Sequence, residues 1–210
     1  MGPSGAGKTT LLRFLSLLDL PTEGLLAIDG QDVRTLDCRA RLRLRRRMTM
    51  VFQKPILFNT SVFENVAYGL RIRGISGNKL RRAVSDALAW VGLRDLAGRN
   101  ARTLSGGEAQ RIALARAAVL ETDVLLLDEA TANLDPANVA LMEDLILKLN
   151  RQKGVTIIMV THNVFQTKRL ADEVVFMWEG KVVETGPAAA VFSNPRDERT
   201  RAFIEGRAIY

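Results

Sequence analysis

The 210-residue sequence has one cysteine and one histidine, and aromatic residues make up 6% of it. Cys38 cannot form an internal disulfide and has no neighbours at metal-ligand spacing, which indicates a reducing compartment. No apolar run is long enough to cross a bilayer. The first five residues lack the basic start and apolar core of a secretory signal. We therefore expect any contact with a membrane to be peripheral or through a partner.

Hydrophobic residues make up 47% of the sequence and charged residues 25%, which is typical of a globular protein with its own core. We predict a single domain over residues 1–210. The net charge of +7 favours acidic partners such as nucleotides, nucleic acid or anionic membranes, and does not choose among them. The arginine-rich residues 39–47 lack stacking aromatics, which favours a solvated basic helix over a nucleic-acid or lipid surface.

Apolar patterns alternate between helical and extended segments. Helices are predicted at residues 8–18, 61–72, 79–91 and 106–120 and from 136 onward; strands are predicted at 25–28, 48–53, 124–127 and 155–160, with a hairpin over 174–184. The fully apolar segments 124–127 and 155–160 are typical of buried parallel strands. This alternation predicts an α/β fold with a mainly parallel sheet, and a mostly helical subdomain inserted at about residues 54–104.

A glycine-rich loop opens the sequence and matches the pattern G-x-x-x-x-G-K-[ST]. Its residues are Gly2, Pro3, Ser4, Gly5, Ala6, Gly7, Lys8 and Thr9. Glycines let backbone N–H groups converge on phosphate oxygens, and the following helix adds its positive end. Lys8 then reaches the β- and γ-phosphates, and the Thr9 hydroxyl ligates Mg²⁺. The alternative is a loop that only caps a helix. Such a loop should follow a buried strand, so we also expect the functional protein to start upstream of Met1.

Two further strand ends carry polar residues. The strand at 124–127 is followed by Asp128 and Glu129, which places both carboxylates at the edge where ligands bind α/β sheets. There Asp128 can hold Mg²⁺ and Glu129 can polarise or deprotonate water; the alternative is a solvated acidic turn. His162 follows the strand at 155–160 and can hydrogen-bond a γ-phosphate, although a lone histidine is often structural.

The segment Ser105-Gly106-Gly107 begins the helix at 106–120. Ser105 is a good N-cap, and the two glycines leave the N–H groups of this helix end accessible. We interpret the turn as a second anion site, with an ordinary capped helix as the alternative.

Taken together, these motifs resemble the nucleotide-binding domain of ABC (ATP-binding cassette) transporters over nearly the whole sequence. Residues 2–9 match the Walker A loop, with Thr10 after it, and residues 104–110 match the signature motif. Residues 124–129 resemble Walker B with its catalytic glutamate, and residues 132–135 resemble the D-loop with Asp135. His162 is similar to the switch histidine, and Gln53 to the Q-loop glutamine. The resemblance implies a P-loop NTPase core.

The resemblance also implies a mechanism in which two copies meet head to tail around two ATP molecules. The Walker A loop of one copy would then face Ser105, Gly106, Gly107 and Gln110 of the other. Glu129, His162 and Gln53 would be catalytic, and Thr9, Gln53 and Asp128 would hold Mg²⁺. Residues 54–64 would grip transmembrane permease subunits at the cytoplasmic face of the cell membrane.

A narrower resemblance concerns the ATPase subunits of phosphate and tungstate importers, and is carried by residues 51–55, 194–200 and 203–207. It implies ATP-driven uptake of an oxyanion, with an extracytoplasmic binding protein as an indirect partner and no nucleic acid. The transported ion and the permease are not specified by the sequence. Adenine recognition also stays open, because the family's stacking aromatic lies upstream of Walker A.

Two alternatives remain. One is a non-transport ABC ATPase acting in DNA repair or translation. The spacing between Walker A and the signature leaves no room for a repair-type coiled coil, and the sequence has one cassette where translation-type members usually have two. The other is a regulatory cassette without a permease. Intact Lys8, Asp128, Glu129 and His162 argue against lost catalysis.

Overall fold

A computed structural model describes residues 1–207; residues 208–210 lie outside the described part. Contacts within the chain divide it into two compact units. One unit comprises Met1–Arg43 and Met159–Tyr210, and the other comprises Leu44–Ile158. The predicted α/β class is confirmed, since strands and helices alternate along the chain.

A three-stranded sheet has the order β3-β4-β5, formed by β3 (Met48–Val51), β4 (Val124–Asp128) and β5 (Thr156–Val160). β3 and β4 are parallel, with Val51 opposite Leu127. The three leucines of β4 are buried, as its uninterrupted apolar sequence predicts. β4 is therefore the central strand, and its carboxyl end carries Asp128.

Helices occupy the chain between β3 and β4. They are α3 (Val62–Ile72), α4 (Gly77–Trp90) and α5 (Gly106–Ala118), with short 3₁₀ turns at Arg94–Leu96 and Ala101–Thr103. α6 (Pro136–Lys153) links β4 to β5. α5 packs against β3, α3, α4 and α6, and its many alanines allow this close approach on several sides. The bounds 54–104 for a separate helical subdomain stay a prediction.

The first unit contains α1 (Lys8–Leu15), the short antiparallel pair β1 (Ala27–Ile28) and β2 (Gln31–Asp32), and the later helices and hairpin. The hairpin joins β6 (Glu173–Trp178) to β7 (Lys181–Pro187), and α7 (Val164–Leu170), α8 (Ala188–Ser193) and α9 (Glu198–Ile204) lie around it in sequence. A buried apolar cluster forms the core here, comprising Met1, Val174, Phe176, Ala188, Val191 and Phe203. α2 (Cys38–Arg45) runs from the first unit into the second and has no buried residue, as expected of a solvated basic helix.

Some helix bounds differ from the predictions. α1 ends at Leu15 rather than residue 18, because the Ser16 hydroxyl donates to the Arg13 carbonyl and Leu17 takes a left-handed conformation with φ 56°. Three helices, α7, α8 and α9, were not predicted, and each is only six or seven residues long. Fewer than two helical turns are too short to establish a helical period in the sequence.

Met1 pairs with β6 as a strand residue does. Its amine donates to the Val175 carbonyl at 2.6 Å, and its carbonyl accepts from the Met177 N–H at 2.9 Å. Bonds to the residues on either side of Phe176 are the pattern of a parallel ladder. The loop that follows Met1 therefore starts from a fixed position beside the hairpin.

Candidate functional site

The loop before α1 holds its lysine against its own backbone. Lys8 is 6% exposed, and its Nζ donates to the Pro3 carbonyl at 2.6 Å. Gly5 and Gly7 have φ values of 77° and 85°, a left-handed conformation that glycine adopts without strain. The loop therefore curls around the first turn of α1, where backbone N–H groups and the helix end favour an anion.

Gly2 fixes this loop to the hairpin. A Cβ atom at Gly2 would lie 2.2 Å from the Met177 carbonyl oxygen, so the backbone approaches β6 as closely as only glycine allows. Thr9 and Thr10 are exposed at the start of α1, so their hydroxyls are accessible to a ligand.

The ends of β3 and β4 bring together two predicted catalytic residues. Asp128 ends β4 and is 8% exposed, and Glu129 follows it with a left-handed φ of 46°. Gln53 lies just beyond β3, and its Nε2 donates to Oε2 of Glu129 at 3.3 Å. Parallel strands end at the same edge of a sheet, which is where ligands bind in α/β folds. The contact between Gln53 and Glu129 is the one that the strand register implies.

The first turn of α5 is closed by a reciprocal cap. The Ser105 Oγ accepts from the Glu108 N–H at 3.3 Å, and the Glu108 carboxylate accepts from the Ser105 N–H at 2.8 Å. The bond from the Ser105 backbone lowers the pKa of Glu108. Ser105 and Gly106 are exposed, whereas Gly107 is buried, and a Cβ there would lie 2.4 Å from Oδ1 of Asn138. The exposed part of this turn presents a helix N-terminus to solvent.

Asp135 caps α6 and shares Asn138 with the signature helix. Its carboxylate accepts from the N–H groups of Ala137 and Asn138, both at 3.0 Å. The Asn138 side chain also donates to Asp135, which lowers the pKa of that carboxyl, and accepts from Arg111 of α5. Asn138 therefore links the D-loop to the helix that begins at Ser105. Sequence reasoning missed Asn138, because its contacts with Gly107 and Arg111 arise only when α5 and α6 pack together.

Gln110 lies inside the second unit rather than on the exposed turn with Ser105. It is 1% exposed, and its Nε2 donates to the Phe52 carbonyl at 3.0 Å. Its amide is thus engaged within its own chain, next to Gln53 in sequence. The sequence motif includes Gln110, but it does not reveal that the Phe52 carbonyl is its partner.

His162 is exposed and follows β5 by two positions, at the strand end where it was expected. The next residue, Asn163, caps α7 by accepting from the Gln166 N–H at 3.0 Å. The Asn163 N–H donates to the Thr161 hydroxyl, also at 3.0 Å. These bonds fix the backbone on both sides of the histidine.

A family model described as ABC transporter matches residues 1–132, which is more than half of the chain. The chain belongs to the ABC transporter family. It is 46% identical over its whole length to the phosphate import ATP-binding protein PstB 2 of Natronomonas pharaonis, covering 77% of that protein. It is 44% identical to a probable anion import ATP-binding protein of Haloferax volcanii, with 100% of this chain and 77% of that protein covered. A methionine import ATP-binding protein, MetN 1 of Bacillus thuringiensis, is 39% identical over 97% of the chain and 60% of its own length.

Solved ABC structures share the fold. The structure of cbiO1 from Clostridium perfringens, part of the ABC transporter complex cbiONQ, has a TM-score of 0.84 at 32% identity. The match covers 92% of this chain and 78% of that one. A dimeric post-hydrolysis state of an ATP-binding cassette bound to ADP and Pi has a TM-score of 0.81 at 31% identity, covering 90% and 83%.

These similarities define the class of chemistry. The chain is an ATP-binding domain and an ATPase of the ABC transporter family. Within residues 1–207, no helix combines the length and the apolar character that a membrane span needs.

Proposed function

We propose that this chain is the ATP-hydrolysing subunit of an ABC importer, acting at the cytoplasmic face of a cell membrane. The hydrogen bond between Gln53 and Glu129 carries the proposal. This bond joins the Glu129 carboxylate, which is suited to activating water, to Gln53. Gln53 directly precedes residues 54–64, which we name the docking segment. The proposed general base, Glu129, is thus hydrogen-bonded to the residue just before the surface that would receive a permease.

In this proposal, the loop before α1 binds the phosphates of ATP. Lys8 and the backbone N–H groups of residues 4–10 take the phosphates of ATP, and the Pro3 carbonyl gives up the ammonium when nucleotide enters. A phosphate is a stronger partner for an ammonium than a neutral carbonyl, since both partners are charged.

The predicted metal ligands fit Mg²⁺. The Thr9 hydroxyl, the Gln53 amide oxygen and the Asp128 carboxylate are the hard oxygen donors that this cation prefers. When bound, Mg²⁺ neutralises the charge that develops on the transferred phosphoryl group.

Glu129 is the general base in this proposal. It is half-buried at the end of β4, and its Oε2 already accepts a hydrogen bond from an amide. In the working state that oxygen accepts a proton from the attacking water. His162 hydrogen-bonds the γ-phosphate from its exposed position after β5.

The second half of each active site comes from a second copy of the chain. The first turn of α5 is exposed at Ser105 and Gly106 and offers N–H groups at a helix N-terminus. Two copies arranged head to tail place this turn against the ATP held by the other copy's Lys8. The structure of an ATP-binding cassette with ADP and Pi, which is a dimer, supports this assembly.

The docking segment has the apolar surface that a protein partner needs. Ile56 is 67% exposed and Phe58 is 42% exposed, close to the partly exposed Tyr68 ring, whose centroid lies 4.6 Å from that of Phe58. Adjacent exposed apolar side chains of this kind mark interaction sites. In this proposal, a cytoplasmic segment of the permease subunits binds to the docking segment.

The transported substrate is an oxyanion such as phosphate or tungstate, delivered by an extracytoplasmic binding protein. Support comes from the relatives named for phosphate and anion import, which are 44–46% identical to the chain. The relatives named for methionine import are 38–39% identical.

An uptake assay tests the proposal. In cells whose gene for this chain is deleted, restoring the wild-type chain should restore uptake of radiolabelled phosphate or of tungstate, and restoring the Glu129→Gln variant should not. Methionine uptake serves as the comparison in the same cells. Restoration of methionine uptake alone, with neither anion affected, would overturn the oxyanion assignment and keep the importer.

A further inference from the structure

The signature helix α5 is bonded at two points to the backbone around Gln53. Gln110 donates from Nε2 to the Phe52 carbonyl at 3.0 Å, and Arg116 donates from Nη1 to the Ile56 carbonyl at 2.8 Å. The two carbonyls bracket the stretch that contains Gln53 and the start of the docking segment. Both donors are side chains of one uninterrupted helix, six residues apart, which corresponds to about 9 Å along its axis.

The first bond is deeply buried. Gln110 is almost completely shielded from solvent, so loss of the Phe52 carbonyl would leave a buried amide without this partner. Buried polar groups are strongly penalised when they lose their hydrogen bonds. We therefore expect the Phe52 carbonyl to move with Gln110 when α5 shifts, and α5 to move with the Phe52 carbonyl when that backbone shifts.

The second bond is reinforced by a ring contact. The Arg116 guanidinium lies 5.8 Å from the centroid of the Phe58 ring, within the range of a cation–π interaction. Burial lowers the pKa of Arg116, which reflects how far the group is withdrawn from water. The side chain thus holds the docking segment through a carbonyl and an aromatic ring together.

The docking segment is held as one piece. Asn65 of α3 accepts from the Phe58 N–H at 2.8 Å and donates to the Phe58 carbonyl at 3.1 Å. The Asn65 amide also donates to the Ser61 carbonyl at 3.0 Å. Force on the exposed Ile56 or Phe58 side chains is therefore passed to the backbone, and from there to Arg116 and Gln110.

At the other end of α5, the Ser105–Glu108 capping box closes the first turn. Gln110 lies five positions after Ser105, so less than two helical turns lie between the cap and the first bond. A short capped helix that packs on four elements moves as a rigid body rather than by bending.

We propose that Gln110 and Arg116 are positioning residues that couple the docking segment to the signature turn, so that movement imposed at residues 54–64 reorients Ser105. The inference rests on the proposed function for what moves the segment and for what Ser105 contacts. The coupling itself is a property of the isolated chain.

Hydrogen–deuterium exchange of the isolated chain tests the coupling. We expect Gln110→Met, which keeps the volume and removes the donor, and Arg116→Met to speed exchange in peptides from the docking segment by about 3- to 10-fold, the effect of one lost hydrogen bond. The decisive readout is the signature turn, residues 104–109, which neither side chain bonds directly. Its exchange should also rise several-fold in both variants.

Two further variants separate coupling from a merely local role. Arg116→Lys retains a cationic donor, so its signature turn should exchange as in the wild type. Arg82→Met removes an exposed arginine from α4 and should change neither peptide. Unchanged exchange at residues 104–109 in both methionine variants would overturn the proposal. So would a uniform rise that includes the β6–β7 hairpin, because that indicates general destabilisation.

Arg116→Met keeps the proposal testable even where Gln110→Met fails to fold, since Arg116 is only half-buried. In a reconstituted transporter, both variants should lower kcat for ATP while KM stays near the wild-type value, because Lys8 and its loop are untouched. A chain that fails to support anion uptake and still shows linked exchange would refute the proposed function alone.

Discussion

Glu129 leaves β4 in a left-handed backbone conformation, φ 46°, which a residue with a side chain adopts at a cost of roughly 1–2 kcal/mol. Strain of this kind persists where the surroundings determine the conformation, and it is common at active sites. The turn directs the carboxylate toward Gln53. The residue predicted from sequence to be the base is thus also one of the non-glycine residues with a left-handed φ within residues 1–207.

Replacing Glu129 by Gln should abolish turnover and preserve nucleotide binding. The amide keeps the size of the side chain and cannot accept a proton, and loss of a general base costs about 10²- to 10⁴-fold. ATP hydrolysis and equilibrium binding of a fluorescent ATP analogue measure the two effects separately. Near-normal hydrolysis in the variant would refute the assigned role.

Gly2 should not tolerate alanine. The added methyl group would lie 2.2 Å from the Met177 carbonyl oxygen, and backbone atoms cannot move aside cheaply. We expect a loss of about 1–3 kcal/mol, typical of overpacking, and therefore a Tm lower by several degrees. Gly98→Ala is the matched control, because nothing lies within 4 Å of a Cβ there. Equal Tm values for the two variants would contradict the close approach.

At the scale of elements, the start of α9 depends on a carboxylate from β7. Glu184 is buried and accepts from the N–H groups of Arg196 at 2.9 Å and Asp197 at 3.2 Å. Burial acts to raise its pKa, but these backbone bonds prevail and the pKa lies below its ordinary value. Asp197 then caps α9, and hydrogen bonds from the Arg199 side chain and backbone lower the pKa of Asp197 to about 2.

This arrangement predicts an acid-sensitive tail. A lowered folded-state pKa stabilises the fold above the unfolded value, near pH 4, and the stabilisation is lost as pH falls toward the folded value. Glu184→Gln should lower Tm by about 3–6 °C at pH 7, and the difference from wild type should shrink below pH 4. Glu198→Gln, in the same tail, is the control. A difference that stays constant from pH 7 to pH 3 would contradict this role.

The elements differ in how far the sequence predicts them. β4 can be predicted from the sequence because its apolar run can only be buried. The start of α5 can be predicted because Ser105 and two glycines mark a capped helix. The end of α1 cannot be predicted, since it depends on the left-handed conformation of Leu17. Gln110 and Asn138 show the same limit at the site: their types are visible in the sequence, whereas their partners, Phe52 and Arg111, come close only after α5 has packed.

At the scale of the whole molecule, a head-to-tail pair makes a prediction about mixtures. A Lys8→Ala chain and a Ser105→Arg chain are each expected to be inactive, yet a mixed pair contains one site with an intact Lys8 and an intact Ser105. Mixing should therefore restore ATPase activity above that of either variant alone. Turnover as a function of mixing ratio measures this.

The control mixes Lys8→Ala with Glu129→Gln. Both residues act on the nucleotide held by their own chain, so neither site of this mixed pair is intact and activity should stay absent. Restoration in the control, or none in the first mixture although mixed pairs form, would contradict the head-to-tail arrangement.

An ATPase is continuously exposed to ATP in the cell, so hydrolysis that is not coupled to transport would waste it. The Gln53 amide already donates to Oε2 of Glu129, so this oxygen has a partner before a water molecule arrives. Gln53 follows Phe52, whose carbonyl is bonded to α5, so a shift of that backbone would carry the amide with it. A permease that shifted this backbone would thereby also change the hydrogen bonding of the base proposed for hydrolysis.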